Sequence, residues 1–536
     1  MNNLKTLCLT AAIATSSATF AGGILTNTNQ NVAFNRMMSR EASIGIDGVY
    51  YNPAGVVFMG EGHHLSINWQ LAYQTRTIDN DYPLFTNNVN NPTTPRKFEG
   101  KAFAPAIPSF QYAYNKGKWS FQANFSLTGG GGKCTFDDGL GSFEKIVSET
   151  AIAACGLAGV VDQTLGNKLG QQGMEMFTSD QAFGKTGKYS FNSYMHGRQY
   201  YYGLSAGAAY KFCDNFSAFL GVRGVYALTN YYGYVENINV GNMPLYKVLD
   251  PTKENAANIE LSCDQTGVGF TPIIGVDYKT GRWNFSAKYE FKTRIRLKNK
   301  SVNQTPSIGN LPANLANQMT GILTARYQQA GLPLEQAKQQ AENTTNAVLN
   351  DPTVGATMMG LKTQFDQKLN KAIGEYEDGK KIAGDIPGYL ALGIGYSPVD
   401  AVRVNVGFHW FDDKNATSYN NRNKELKRGT LEYNAGLEVD VNKKITLSTG
   451  WQNTNYGLSD EYMDDKSFVV GSNSAAIGGV YHINKKMDLN VAYFHTFYQH
   501  KKTSEKVQLT AEKSINYSSD YTRNNNVFAV GLDINF

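Results

Sequence analysis

The amino-acid sequence predicts an all-β protein, a 14-stranded antiparallel β-barrel that spans a membrane and carries long, partly helical loops on one rim. Three observations predict it. Fourteen segments alternate apolar and polar residues, their connections alternate between short and long, and the chain ends on Phe536 with apolar residues at every second position before it. A barrel in lipid needs an apolar outward face and tolerates a polar inward one, so each strand carries a period of two.

Composition agrees. The 536 residues include 32 Tyr, 28 Phe and 53 Gly, yet only 41% are hydrophobic. Many aromatics without long apolar runs suits a chain in which every second residue meets lipid. Past the leader, no stretch reaches the roughly 18 consecutive apolar residues of a helical span. The net charge of +5 comes without a basic block, which argues against nucleic acid as a partner.

In chain order, Lys5, the apolar run Leu7–Ala14 and the small residues ending at Ala21-Gly22 form a signal peptide, residues 1–21. Cys8 lies inside the apolar run rather than past it, so no lipoprotein anchor is expected. Residues 22–60 are polar, rich in Asn, and without a period of two or of 3.6. They end in Ile44–Gly55, whose Asn52-Pro53-Ala54-Gly55 is turn chemistry. Such a segment is either a flexible lead-in or a plug held by surrounding structure.

The barrel is expected over residues 61–536. Its strands are placed at Leu65–Ile78, Ala102–Tyr114, Trp119–Thr128, Tyr200–Phe212, Phe216–Val235, Gly267–Tyr278 and Trp283–Lys298. The second seven are Tyr389–Tyr396, Val402–Asp412, Gly429–Val439, Ile445–Tyr456, Ala475–His482, Leu489–Tyr498 and Asn526–Phe536. In the seventh, Trp283, Phe285, Ala287, Tyr289, Phe291 and Ile295 alternate with Asn284, Ser286, Lys288, Glu290, Lys292, Arg294 and Arg296. A soluble sandwich shares the period but seldom places aromatics at the ends of the apolar face. With an even strand count both termini fall on the rim of tight turns, the periplasmic side of such barrels.

Two long loops, about 129–198 and 299–385, hold most other residues. The first starts with Gly129-Gly130-Gly131-Gly132 and has a helical stretch from Phe143. The second has at least two helices, one starting at Pro333 and one in which Met358, Leu361, Phe365, Leu369, Ala372 and Tyr376 share a face. Such apolar stripes either pack on one another as a cap or line a groove that catches ligand; Met358, Leu361, Phe365 and Leu369 are the candidate contacts. Cys134 and Cys155 fall in one loop, where an exported chain can form a disulfide, and their pairing stays open. The cysteine spacing does not suit a metal site.

A leader, a segment ending in Asn52-Pro53-Ala54-Gly55, fourteen strands and a C-terminal Phe resemble the FadL/TodX-type outer-membrane transporters of long-chain fatty acids and other hydrophobic compounds. The resemblance covers essentially the whole mature chain, and Ser43–Gly55 is its strongest local element. It implies a monomeric passive carrier in which residues 22–60 form a hatch. Ligand would be captured among the loops, bind in the lumen and leave sideways beside a kinked third strand once the hatch shifts. Gly129–Gly132 is the kink candidate, since glycine weakens strand pairing; a flexible loop start is the other reading. Phe536 matches the ending read by the outer-membrane assembly machinery. Two departures stand out: the second outer loop is long and the third, about Glu236–Asp264, is short. No pocket residue of the family can be carried over.

From pattern alone the lumen-facing cations are Arg223, Lys288, Lys292, Arg294 and Arg403, which either hold a carboxylate head group or pair with Glu290 and other lumen acids. No Gly-x-Ser-x-Gly, His-Glu-x-x-His or phosphate loop is present, so an enzyme is not expected, and no cofactor or metal is. His63 and His64 face opposite sides of a strand, and His409 reads as polar filler. Aromatic-hydrocarbon uptake is the alternative function, then a diffusion porin or a surface adhesin.

Overall fold

The structure is a computed structural model that describes residues 24–306, 308–509 and 513–536. The signal-peptide residues 1–21 lie outside that range. A single sheet closes on itself through antiparallel pairing of its first and last strands, with His64 opposite Asn535 and Asp81 opposite Ser518.

The wall has fourteen staves. They are β1 (Gly62–Asp81), β2 (Arg96–Lys116), β3 (Trp119–Phe136), β4 (Tyr189–Cys213), β5 (Phe216–Val240), β6 (Ile259–Thr280) and β7 (Trp283–Glu290 continued by Arg296–Gln304). Then come β8 (Tyr389–Val399, with Lys381–Ala383 above it), β9 (Val402–Phe411), β10 (Thr430–Asn442), β11 (Ile445–Asn455), β12 (Ser472–Asn484), β13 (Met487–Tyr498 continued by Lys501–Gln508) and β14 (Ser514–Asn535). Every strand expected from alternation is present, and several run much further toward the loop rim. The first long loop is shortened because β3 continues through the four glycines and β4 starts at Tyr189.

The period of two does what the sequence implies. Trp69, Tyr73, Trp119, Phe121, Phe270, Trp283, Phe285, Trp451 and Phe528 stand exposed on the outer face, while Asn68, Gln70, Gln111, Gln122, Asn434 and Gln452 are buried inside. In water such an exterior would be an aggregation surface; against lipid it is the matching one.

In β7 the alternation breaks and changes phase. Ladder pairing stops at Glu290 and resumes at Arg296, and Thr293, Ile295, Leu297 and Asn299 then point inward. One extra residue flips every later side chain to the other face. This corrects the lumen assignment of Arg294, which is exposed on the outside.

The loop rim carries the helices. α3, counting α1 (Val32–Met37) and α2 (Gly48–Tyr51) inside the barrel, spans Gly141–Leu169; α4 (Leu311–Gln329), α5 (Leu334–Leu349) and α6 (Pro352–Ile373) follow in the second long loop. Pro333 is the N-cap of α5 rather than its first residue. α3 is long and apolar enough to cross a membrane, but it lies against the apolar faces of the loops. Its Glu144 is tied to Arg96 and Tyr189, and its Lys145 to Glu505. Cys134, Cys155 and Cys263 are buried and free, and Cys213 is free and exposed at the end of β4.

Candidate functional site

Residues 24–60 fill the barrel, and almost every one from Thr26 to Val57 is buried except around Ser43–Gly45. Asn31 caps α1, its side-chain oxygen accepting from the Ala33 amide (2.7 Å). Three charge clusters bind this segment to the wall. Arg36 and Arg40 (3.1 Å) both meet Glu438, and Arg40 also meets Asp47 (2.8 Å). Glu41 meets His409 (2.7 Å), whose other ring nitrogen meets Glu432 (2.8 Å). Lys288 donates to the Tyr50 carbonyl (2.6 Å) and pairs with Glu290 (2.9 Å), which also holds Arg223 (2.6 Å). Buried charges left unpaired would cost several kcal/mol each, about 3–5, so these clusters fix the segment in one register.

Asn52-Pro53-Ala54-Gly55 is spread over three staves. Asn52 donates to Asp277 on β6 (2.5 Å), Gln122 on β3 donates to the Pro53 carbonyl (2.7 Å), and Ser217 on β5 donates to the Ala54 carbonyl (2.7 Å). Immediately after it, Gly55–Phe58 turns into the start of β1.

The five cations of the pattern reading separate. Arg223 and Lys288 are buried together on Glu290. Arg403 sits near the turn rim on Asp440 (2.6 Å) and Glu438 (3.3 Å). Lys292, at the break in β7, is half-buried and donates to the Asn415 carbonyl (3.0 Å), whereas Arg294 is outside the lumen.

Besides the break in β7, the ladder is interrupted between β2 and β3. Pairing of β2 with β3 runs from Lys116↔Trp119 to Phe110↔Phe125, stops, and resumes at Phe103↔Lys133. The unpaired stretch of β2 contains Pro105 and Pro108, which have no amide to donate. On β3 it contains Gly129–Gly132, and the β3–β4 register shifts at Leu127/Gly129 and Gly130/Gly132. A side chain at Gly129 would collide with the Leu25 carbonyl.

The N-terminal segment takes over the freed hydrogen bonds. The Asn27 amide donates to the Thr128 carbonyl (3.0 Å) and its side chain to the Leu127 (3.2 Å) and Gly130 (2.6 Å) carbonyls. Gln30 donates to the Leu127 carbonyl (2.7 Å) and accepts from Ser109 (2.6 Å) and Gln111 (3.1 Å) through its own. Beside the opening, Met38 packs with Ala104, Ile107, Leu127 and Phe494 as a buried apolar cluster.

Above the plug lie two cavities of opposite character. A polar vestibule of about 610 Å³ is lined by Leu25, Lys145, Glu375, Asp413, Arg422, Asp465 and their neighbours. Burial pushes the Glu375 carboxyl up to about 7, against the pull of Lys466 and Arg422. It also raises Asp465 to about 6, helped by Asp464, and Asp413 to about 6. Under α3 is an apolar cavity of about 140 Å³, lined by Leu157, Val161, Val235, Val248, Leu315, Leu361, Phe365 and other carbon-rich side chains. Met358 is buried in the same cluster. The backbone of Leu369 lies in α6, but its side chain is outside the described set.

Several of these residues were invisible in the sequence. Asn27 and Gln30 are two of many polar residues in an aperiodic arm, and nothing marks their partners 100 residues away. Pro105 and Pro108 did carry a signal: prolines in a central strand, opposite a glycine run, mark a place where a ladder cannot form.

These features define a barrel filled by its N-terminal segment, which bridges an interruption in the β2–β3 ladder. No protein-family model and no curated protein matches the sequence. Among solved structures, the chain is similar to a Pseudomonas aeruginosa FadL homologue, at 13% identity over 96% of this chain and 100% of that one, with a TM-score of 0.57. It is also similar to the TodX monoaromatic hydrocarbon channel in a deletion mutant (12% identity, 94% and 99% covered, TM-score 0.50). The Ralstonia pickettii toluene transporter TbuX aligns over 92% and 94% at 13% identity, with a TM-score of 0.46. The fold is that of the FadL/TodX-type barrels.

Proposed function

We propose that the protein is a passive outer-membrane carrier for hydrophobic compounds, with long-chain fatty acids its foremost substrates. Capture occurs on the apolar surfaces under α3, where Leu361 and Phe365 line the cavity with Leu157 and Val161. The ligand then passes between cap and plug and leaves sideways between β2 and β3.

The opening between β2 and β3, held shut by Asn27 and Gln30, is the observation that carries this reading. A water-filled pore would not help an acyl chain, whose transfer into water costs about 0.8 kcal/mol per CH₂. A side exit keeps the ligand out of water on the far side. Because the segment that blocks the lumen also supplies the missing hydrogen bonds of the wall, moving it frees both. In this reading residues 24–60 act as the hatch, Gly129–Gly132 as the kink, and Phe536 addresses the assembly machinery.

The test is uptake of radiolabelled fatty acid by a host lacking its own fatty-acid carrier, alongside planar-bilayer conductance of the purified protein. The reading requires uptake with a negligible open current. A large stable current would make the protein a diffusion porin, and binding of toluene without fatty acid would make it a hydrocarbon channel, as the TodX likeness allows.

A further inference from the structure

The change of phase in β7 also reshapes the outer face of the barrel. Beyond the break, Arg294, Arg296, Lys298 and Lys300 all turn outward and stand exposed on one face of the stave. Lys381, in the short segment above β8, lies directly opposite Lys298 and is exposed as well. Strand residues rise by about 3.3 Å each, so Arg296, Lys298 and Lys300 form a row of like charge about 13 Å long. Like charges directly opposite on a sheet are destabilising, and Lys298 with Lys381 is such a pair.

The acids around this row leave most of it uncompensated. Asp385 holds Arg296 (2.8 Å), whose side chain is still half-exposed. Asp264 lies opposite Lys300 but accepts from the Asn230 side-chain amide (2.8 Å). Asp378 accepts from the Ser301 backbone (2.8 Å), and Glu377 pairs with Lys380 (3.5 Å). Among the described residues, Arg294, Lys298, Lys300 and Lys381 have no ion pair. A water-facing surface normally intersperses both signs; here four successive outward positions carry one.

Its place on the wall says what the row faces. Below it on the same stave Trp283, Phe285 and Phe291 are exposed, and on β6 Phe270 and Val268 are 70% and 64% exposed. A Cβ added at Gly269 or Gly267 would meet the carbonyl oxygens of Arg294 and Arg296 (2.8 and 2.9 Å). Phe270 and Val268 therefore stand beside these two arginines. The row starts where the lipid-facing belt ends and rises from it on the loop rim, the outer side of such barrels. Long cationic side chains at the end of a spanning element hold their charge at head-group depth, with their stems on apolar surface.

We propose that Arg294, Arg296, Lys298, Lys300 and Lys381 form a surface that binds the phosphates of a lipid in the outer leaflet. Its acyl chains lie on Phe291, Phe270 and Val268. Guanidiniums grip phosphate oxygens in pairs and ammonium groups act as point charges, and basic clusters at a membrane surface draw anionic head groups. A phosphorylated lipid fits better than a soluble anion because the row is continuous with apolar surface that acyl chains would cover. The surface rests on the outer-membrane placement proposed above and not on uptake, since none of these five side chains faces the lumen. Without the extra residue in β7, the charges on this stave would point inward.

Native mass spectrometry of the detergent-solubilised protein, titrated with diphosphoryl lipid A and with the same lipid stripped of both phosphates, tests the surface. The wild type should bind the phosphorylated lipid about tenfold more tightly, and added salt should weaken that preference. Arg294→Gln with Lys298→Gln should abolish most of it; Lys298→Gln with Lys381→Gln should lower it by a few-fold. Lys485→Gln with Lys486→Gln, on the turn rim, should leave it unchanged. Heat-modifiable migration on gels verifies that each variant is folded, and should the first pair fail to fold, the second carries the same test. Equal wild-type affinity for the two lipids, an unchanged preference in Arg294→Gln with Lys298→Gln, or an equal loss in the turn-rim variant overturns the surface. So does equally tight binding of the deacylated diphosphoryl disaccharide, which would make the row a site for soluble anions. Those results leave the uptake reading standing, whereas recovery of the protein outside the outer-membrane fraction overturns both.

Discussion

The barrel is stopped twice, by the plug within and by the helical cap above, and the two regions use opposite chemistry. The plug is held by charge clusters and amide–carbonyl bonds to the wall, as at Arg36 and Arg40 on Glu438 and Asn27 on β3. The cap is held by carbon against carbon, with Leu157, Val161, Leu315 and Met358 in one cluster and a few ion pairs at its edge. Polar ties are directional and switch between made and broken; apolar contacts are non-directional and accept many shapes. In the proposed uptake, a segment that sits in one register and then leaves it suits the first, and a surface that holds varied apolar ligands suits the second.

Four perturbations break or sharpen that contrast, and the largest strikes the plug. Glu438→Ala leaves Arg36 buried without its carboxylate and Arg40 with Asp47 alone, a cost of about 3–5 kcal/mol. Planar bilayers should then record an ion current that the wild type lacks, with the barrel still heat-modifiable.

In the cap, Phe365→Ala should raise the KM of uptake about tenfold, the worth of about 1.5 kcal/mol of lost apolar contact, and create no current. A current in this variant would erase the division of labour.

Gln30→Ala should act between the two. It removes the shorter of the two side-chain bonds to the Leu127 carbonyl and leaves the one from Asn27 (3.2 Å), a loss of about 0.5–1.5 kcal/mol, so hydrogen exchange in β2 and β3 beside the opening should quicken several-fold while β10 and β11 stay unchanged.

The smallest effect is one of pH on the cap. Glu375, Asp465 and Asp413 have carboxyls raised to about 7, 6 and 6 by burial. A carboxyl raised in the folded state binds more protons there than when unfolded, so its stabilising protonated form is complete below the ordinary carboxylate range and is lost as pH rises through 6–7. Limited proteolysis of the 299–385 loop should therefore speed up modestly between pH 5 and pH 7.5.

The wall was legible because lipid imposes a period of two over the whole strand, and all fourteen staves followed from it. Legibility failed where a single residue changes phase, as between Glu290 and Arg296, where Arg294 moves from the expected lumen face to the outside. The glycine run stood out by composition, but its meaning depends on Pro105 and Pro108 in the adjacent strand. The plug's bonds were unreadable for a different reason: Asn27 and Glu41 find partners 100 and 368 residues away, across a lumen that exists only once the barrel closes.

Sealing the opening tests the central claim most directly. A Cβ built at Gly132 lies 3.7 Å from that of Ala104 across the gap, close to the roughly 3.8 Å typical of disulfides. Ala104→Cys with Gly132→Cys, in a Cys134→Ala, Cys213→Ser background, should stop fatty-acid uptake when oxidised and recover it on reduction, with no change in conductance. Uptake that continues undiminished through the oxidised barrel would contradict a side exit between β2 and β3.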